Sequence, residues 1–191
     1  CVSDPNAAAR DPFAALGVCV LDDNLQAMAE ADVIVLAVKP QSLAEVAKAL
    51  APSLRAEQLV ISIAAGVRID TLRRWLGGHG RIVRAMPNTP ALVQAGATGL
   101  YAPPEISTEE RARAESLLRA VGVCVWVENE TLLDSVTALS GSGPAYVFLV
   151  MEAMQTAGQK LGLDAATARL LTLETIFGAA RLALESNEEP A

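Results

Sequence analysis

Along the first two thirds of the chain the apolar positions change period repeatedly; beyond that they keep one period. Val33 to Val38, in "DVIVLAVKP" (32–40), form a continuous β-branched run without alternation. That pattern predicts a strand buried on both faces, as in a parallel sheet. "QLVISIAAG" (58–66) repeats it and closes on a glycine, and "RIVRAMPNTP" (81–90) predicts a strand entering a proline-rich loop. Shorter runs predict a strand end at 1–3 and strands at 17–24, 97–103 and 123–129. Three- and four-residue spacing predicts helices between them. A short Ala- and Arg-containing stretch follows the turn at Asp4-Pro5-Asn6, and another short helix covers 25–31. A helix over 42–54 has Ser42 and Glu45 in capping-box spacing, and one over 68–77 ends at Gly77. The helix at 107–122 carries Ser107 or Thr108 as cap, acids in its first turn and Gly122 at its end.

From Thr131 onward only helical spacing appears, over 131–139, 144–162 and 164–186. The expected organisation is therefore α/β: a parallel-sheet domain over 1–128 with right-handed crossovers, then an all-helical domain over 129–191. Leu149, Met151, Met154 and Leu161 are expected in the core of the helical part or in a dimer interface.

Composition narrows the function. Of 191 residues, 52% are apolar, which is ample for a core, and the net charge is −7. No basic cluster exceeds a pair such as Arg73-Arg74, so the basic face that nucleic acid requires is not expected. The longest apolar run is strand-sized, so no membrane span is expected. Cys1, Cys19 and Cys124 form no CxxC pair, which disfavours a zinc site or disulfide framework and fits a reducing cytoplasm; no metal is expected. His79, in "GGHG", reads as a turn residue.

In an open α/β sheet, ligands bind outside the carboxyl ends of the strands. The residues there are small, polar or turn-forming: Ser3, Asp4 and Asn6; Asn24; Ala37, Val38, Lys39 and Pro40; Ala64, Ala65 and Gly66; Met86 to Pro90. Lys39 is the one cation on this edge. Asp4 stands where a dinucleotide fold places the acid that binds the adenosine ribose. The matching G-x-G-x-x-G would fall before residue 1. The "GSG" at 141–143 follows the last strand and is not a pyrophosphate loop by placement.

Four segments in order, "LAVKPQ" (36–41), "ISIAAGV" (61–67), "RAMPNTPALVQAGATGLY" (84–101) and "DSVTALSGSGPAYVF" (134–148), together resemble the pyrroline-5-carboxylate reductase family over essentially the whole chain. The resemblance implies reduction of 1-pyrroline-5-carboxylate to L-proline, the last step of proline biosynthesis, by hydride transfer from NADPH, with NADH as the other option. It also implies that 1–128 is a dinucleotide-binding, Rossmann-like domain and that 129–191 is an all-α dimerisation domain, giving a cytoplasmic homodimer or a ring of such dimers. By motif, Asp4, Asn6 and Asn24 match positions around the adenosine ribose. Ala37, Val38, Lys39 and Pro40 match the segment beside the diphosphate and nicotinamide riboside. Ala64 and Ala65 match the segment beside the nicotinamide, and Glu130 resembles a glutamate near the substrate. No catalytic acid or base is singled out. "SGSGPAY" reads as a place where small residues let a helix start or bend against a close neighbour, with Pro144 suited to a first turn.

The family pattern also includes a first strand and glycine-rich turn ahead of Cys1 and a Ser-Pro-Gly-Gly-Thr-type substrate loop beyond Ala191. The recorded chain is thus expected to be a fragment unable to turn over by itself. Two other readings stay open on the sequence. One is a related β-hydroxyacid-dehydrogenase-like oxidoreductase, disfavoured because Lys160 comes late for its catalytic lysine. The other is a non-catalytic dinucleotide-binding module.

Overall fold

The computed structural model describes residues 1–186, in two compact units that divide between Gly141 and Ser142. In the first unit, strands β1 (Val2–Ser3) and β2 (Val20–Leu21) form a parallel pair. Five further strands form a second sheet in sequence order: β3 (Val33–Leu36), β4 (Leu59–Ser62), β5 (Ile82–Met86), β6 (Gly96–Tyr101) and β7 (Gly122–Trp126). The helices in this unit are α1 (Ala7–Ala15), α2 (Asn24–Ala29), α3 (Pro40–Leu50), α4 (Ile69–Trp75), α5 (Thr108–Arg119) and α6 (Leu132–Val136).

The central strand β4 is buried along its whole length, and successive side chains point to opposite faces. Val60 joins the layer of Leu43, Ala47 and Leu50 from α3 and Leu72 from α4. Leu59 and Ile61 join the other layer, with Val83, Leu100 and Ala114 of α5. The run at 58–66 is therefore the two-face-buried strand its pattern predicts. Leu43 is fully buried, and truncating it to alanine should cost roughly 2–5 kcal/mol through lost contacts and a cavity.

Three local expectations are corrected. The run at 33–38 is not buried on both faces: β3 is an edge of the five-stranded sheet, and Val35 is 47% exposed. The helix expected at Ser42 starts at Pro40, with Lys39 at the N-cap position. Proline's fixed φ and missing N–H suit a first helical position, so it opens the helix before the serine can cap it. Gly122 opens β7 rather than ending the preceding helix; its φ of +148° and its contact with the Gly96 backbone leave no room for a side chain.

The sheet is also not wholly parallel. β3, β4 and β5 run parallel, β6 is antiparallel to β5, and β7 is parallel to β6. The segment between β5 and β6 holds only a single 3₁₀ stretch, Thr89–Val93. A parallel return needs a dozen or more residues, usually an α-helix, so this short link reverses the chain.

In the second unit, α7 (Gly143–Lys160) carries proline in its first turn, as expected, and α8 (Ala165–Glu185) follows. The Asp164 carboxylate caps α8 by accepting from the Ala166 and Thr167 amides, each at 3.0 Å. Among the described residues of this unit only Ala168 and Thr172 are buried, while Tyr146, Phe148, Leu149, Leu161 and Phe177 stand exposed. Among the described residues, no helix is long and apolar enough to cross a membrane.

Candidate functional site

A groove of about 400 Å³ runs between β1 and β3 in the first unit. Asp4, Asn24, Ala37 and Val38 line it, together with Ser3 and Leu36. The structure thus brings four of the residues singled out by sequence to one cleft. Asn6, Lys39, Pro40, Ala64 and Ala65 lie outside its lining.

At the β1 end, local hydrogen bonds account for the backbone path. The Asp4 carboxylate accepts the Asn6 amide at 2.8 Å, and the Asn6 side chain accepts the Ala8 amide at 3.1 Å, capping α1. The Arg10 guanidinium, half-buried, donates to the Asp4 carbonyl. Sequence reading missed Arg10, which looked like one more helical arginine; only the turn of α1 brings it back to Asp4. The Ser3 hydroxyl is buried beside the groove without a hydrogen-bond partner. At the β2 end, Asp23 accepts the Leu25 amide at 2.7 Å and sets Asn24 at the start of α2.

Past β3, Lys39 is exposed at the N-cap position of α3, and no side chain caps that helix. Pro40 has no N–H and the Ser42 amide donates to the Lys39 carbonyl at 3.0 Å, so what this end offers an anion is its positive dipole. Past β4, Ala64 is buried, whereas Ala65 and Gly66 are exposed. Gly66 has φ +76°, a left-handed turn position that favours glycine. The Ile63 amide donates to the Leu36 carbonyl at 3.2 Å, which ties this turn to the end of β3.

Glu130, expected near the substrate, is bonded within the chain. Its Oε1 accepts the Ile69 amide at 2.8 Å and the Arg84 guanidinium at 3.1 Å. Arg84 is 2% exposed. Sequence reading passed over it because an arginine inside an apolar strand gives no local sign of its partner.

The "SGSG" segment bends where it was expected to. Thr137–Gly141 form a π-turn, a geometry that recurs at functional sites. A methyl on Gly141 would come within 2.7 Å of the Met86 side chain, so the two segments lie close. Cys1 and Cys19 are free, with their sulfurs 3.4 Å apart.

The strand ends offer small side chains, backbone amides and an anion-receptive helix end, which suits a dinucleotide and a small substrate. Comparison with known proteins gives this chemistry a family. Residues 130–191 match the model described as pyrroline-5-carboxylate reductase dimerisation, and residues 1–66 match that of the coenzyme F420-dependent NADP oxidoreductases. A pyrroline-5-carboxylate reductase of Pseudomonas aeruginosa is 52% identical over 190 residues, covering 99% of this chain and 70% of that protein. The solved pyrroline-5-carboxylate reductase of Coxiella burnetii superposes with a TM-score of 0.92 at 48% identity, covering 99% of this chain and 71% of that one. A Plasmodium falciparum pyrroline carboxylate reductase solved with NADP bound superposes at 0.84 with 31% identity, covering 90% and 65%.

Proposed function

The chain belongs to the pyrroline-5-carboxylate reductase family, and from that premise we infer that it reduces 1-pyrroline-5-carboxylate to L-proline with NADPH, closing proline biosynthesis. The observation that carries the reading is the 52% identity spanning 99% of the chain. NADH is the alternative donor.

The cyclic imine already has an electrophilic carbon. That carbon takes a hydride, the ring nitrogen takes a proton, and the product is a secondary amine. The reduced nicotinamide supplies the hydride and both electrons. What remains for the protein is to hold donor and acceptor in line, and such alignment is worth up to roughly 7–11 kcal/mol.

The residues present fit a phosphorylated dinucleotide. The buried, unpartnered Ser3 hydroxyl and the Arg10 guanidinium beside Asp4 supply polar and cationic groups at the adenosine end. We assign Asp4, Asn6 and Asn24 to the adenosine ribose. Ala37, Val38, Lys39 and Pro40 fall beside the diphosphate and nicotinamide riboside, where the uncapped start of α3 favours an anion. Ala64 and Ala65 fall beside the nicotinamide, where small side chains admit a flat ring.

The protein acts as a homodimer. The apolar faces left open on α7 and α8 support the helical unit as its interface. We take the functional boundary at residue 128, next to the start of the dimerisation match at 130, although the compact units divide at Gly141. A ring of dimers is the assembly we propose beyond that. The cytoplasm is the location we propose, since three free thiols suit a reducing compartment.

The test is an assay on the protein as its gene encodes it, following loss of NADPH and NADH absorbance with and without 1-pyrroline-5-carboxylate. Substrate-dependent loss with proline as product is the expected result. A folded dimer that oxidises neither cofactor would refute the reading.

A further inference from the structure

The turn over residues 63–68 lies between β4 and α4 and carries Ala64 and Ala65. It is fastened at both ends by bonds from distant parts of the chain. At its start, the Ile63 amide donates to the Leu36 carbonyl at 3.2 Å. At its end, Arg68 occupies the N-cap position of α4 and makes no side-chain cap. A helix end without a local cap leaves amides to be satisfied by other groups. Here Glu130, 61 residues further along, serves instead, its Oε1 accepting the Ile69 amide at 2.8 Å.

The same oxygen takes the Arg84 guanidinium at 3.1 Å. The Arg84 side chain is 3% exposed and that of Glu130 18%. Arg84 sits in β5, paired with Ser62 of β4 and with Tyr101 of β6. A guanidinium buried there needs an anion, and a carboxylate so paired is held far more firmly than a surface one. A second, solvent-side bridge joins the same two segments, from Arg68 to Asp134 at 3.4 Å. That exposed bridge contributes little by itself, which leaves the buried bond as the fastener.

We propose that Glu130 is a positioning residue: held by Arg84, it pins the α4 end of the 63–68 turn and so fixes Ala64 and Ala65 where the nicotinamide ring must lie. This rests on the assignment of that turn to the nicotinamide. It gives the glutamate a role through the turn rather than on the substrate, and it makes Arg84 part of the same device.

Three variants of the full-length dimer test it: Glu130→Ala, Glu130→Gln and the double variant Arg84→Met with Glu130→Leu. The double variant removes both charges together, which buried pairs tolerate far better than loss of one partner. It is therefore the decisive variant if Glu130→Ala fails to fold. Hydrogen exchange of the segment containing residues 63–69 is read by mass spectrometry, NADPH binding by fluorescence titration, and turnover with 4-deuterated and ordinary NADPH.

In the variants without a carboxylate or amide at 130, exchange of the segment should rise by about tenfold or more as its end comes free. Turnover should fall on the order of 10- to 100-fold with KM for NADPH little changed, and the deuterium isotope effect should grow as hydride transfer becomes limiting. Glu130→Gln keeps an oxygen for the Ile69 amide and should recover part of both losses, the remainder reflecting a buried Arg84 left without its anion. A merely structural role predicts a lower melting temperature with unchanged exchange of the segment and an unchanged isotope effect per folded dimer; that result would overturn the proposal. If the unaltered protein fails to reduce the imine, the reductase reading falls separately. Exchange of the segment then still decides the latch, with an unchanged value in the double variant counting against it.

Discussion

The Asn88 side chain joins the loop after β5 to the π-turn of the glycine-rich segment, donating to the Ser140 carbonyl at 3.1 Å. Its oxygen accepts the Ala97 amide at 2.8 Å, so one half-buried amide spans three stretches of backbone. This answers what the prolines and glycines of "MPNTP" and "SGSGPAY" do together: each gives a backbone shape, and Asn88 keys one to the other.

Asn88→Asp should break this key. The carboxylate keeps the acceptor for Ala97 but turns an acceptor toward the Ser140 carbonyl. Losing one bond and setting two acceptors against each other should cost about 1–3 kcal/mol. A urea-unfolding midpoint that drops accordingly, with unchanged slope, is the expected result. An unchanged midpoint would mean that the loop and the π-turn hold together without this amide.

Arg10 should govern cofactor choice. An acid beside the adenosine ribose favours an unphosphorylated cofactor, and a nearby arginine offsets that for a 2′-phosphate. Arg10 reaches the Asp4 carbonyl, so its charge stands beside that acid. Arg10→Ala should weaken NADPH binding by roughly 10- to 100-fold, the loss of a charge-assisted hydrogen bond, with NADH binding nearly unmoved. Fluorescence titration of both cofactors reads the ratio. Equal weakening of the two would restrict Arg10 to holding the β1–α1 turn.

Much of the fold was legible because the central strands β3 and β4 are short β-branched runs and the longer helices have a three- and four-residue spacing. What local sequence does not carry is which way a strand runs. The reversal of β6 lies in the length of the 87–95 link, not in the apolar pattern of "ATGLY". Capping was read from Ser42 and Glu45, but the competing rule that proline opens helices won at Pro40. Of the candidate site, what was legible is that Asp4, Asn24, Ala37 and Val38 come together, since strand ends converge by topology and all four line one groove. The partners of Glu130 were not legible, because bonds over 61 and 46 residues leave no spacing to recognise.

Gly99 should be intolerant of a methyl group. A Cβ there would come within 2.8 and 2.9 Å of the two Val136 methyls and 3.1 Å of Leu133, which is fully buried on α6. Both are close-packed branched side chains with little freedom to retreat. Gly99→Ala should destabilise by about 1–3 kcal/mol. Adding Val136→Ala should return part of that loss, and the double-mutant cycle measured by urea unfolding gives the coupling directly. Strict additivity would show that β6 and α6 part at no cost.

His79 should set the pH dependence of stability in mild acid. Burial lowers its pKa below the usual histidine value, outweighing the hydrogen bond from its Nε2 to the Gln58 carbonyl at 2.9 Å. The folded chain therefore sheds this proton more readily than the unfolded chain does. Between its folded value and the unfolded value of about 6.5, the unfolded state binds more protons, so stability rises with pH. The contribution is complete above the unfolded value and is lost as pH falls through the folded one. The depressed carboxylates act in the same direction but lower down. Glu115, for example, is held below its ordinary 4.5 first by the Trp126 indole and then by Arg119. His79 is the only histidine in the chain. The slope of stability between about pH 6.5 and pH 5 thus belongs mainly to this ring, since no other side chain ordinarily titrates there. Urea midpoints measured across that range should fall with acid in this chain and stay nearly level in His79→Gln. The glutamine can still donate to the Gln58 carbonyl, so the comparison removes the titration and keeps the bond. An equal slope in the two would place the titrating group elsewhere.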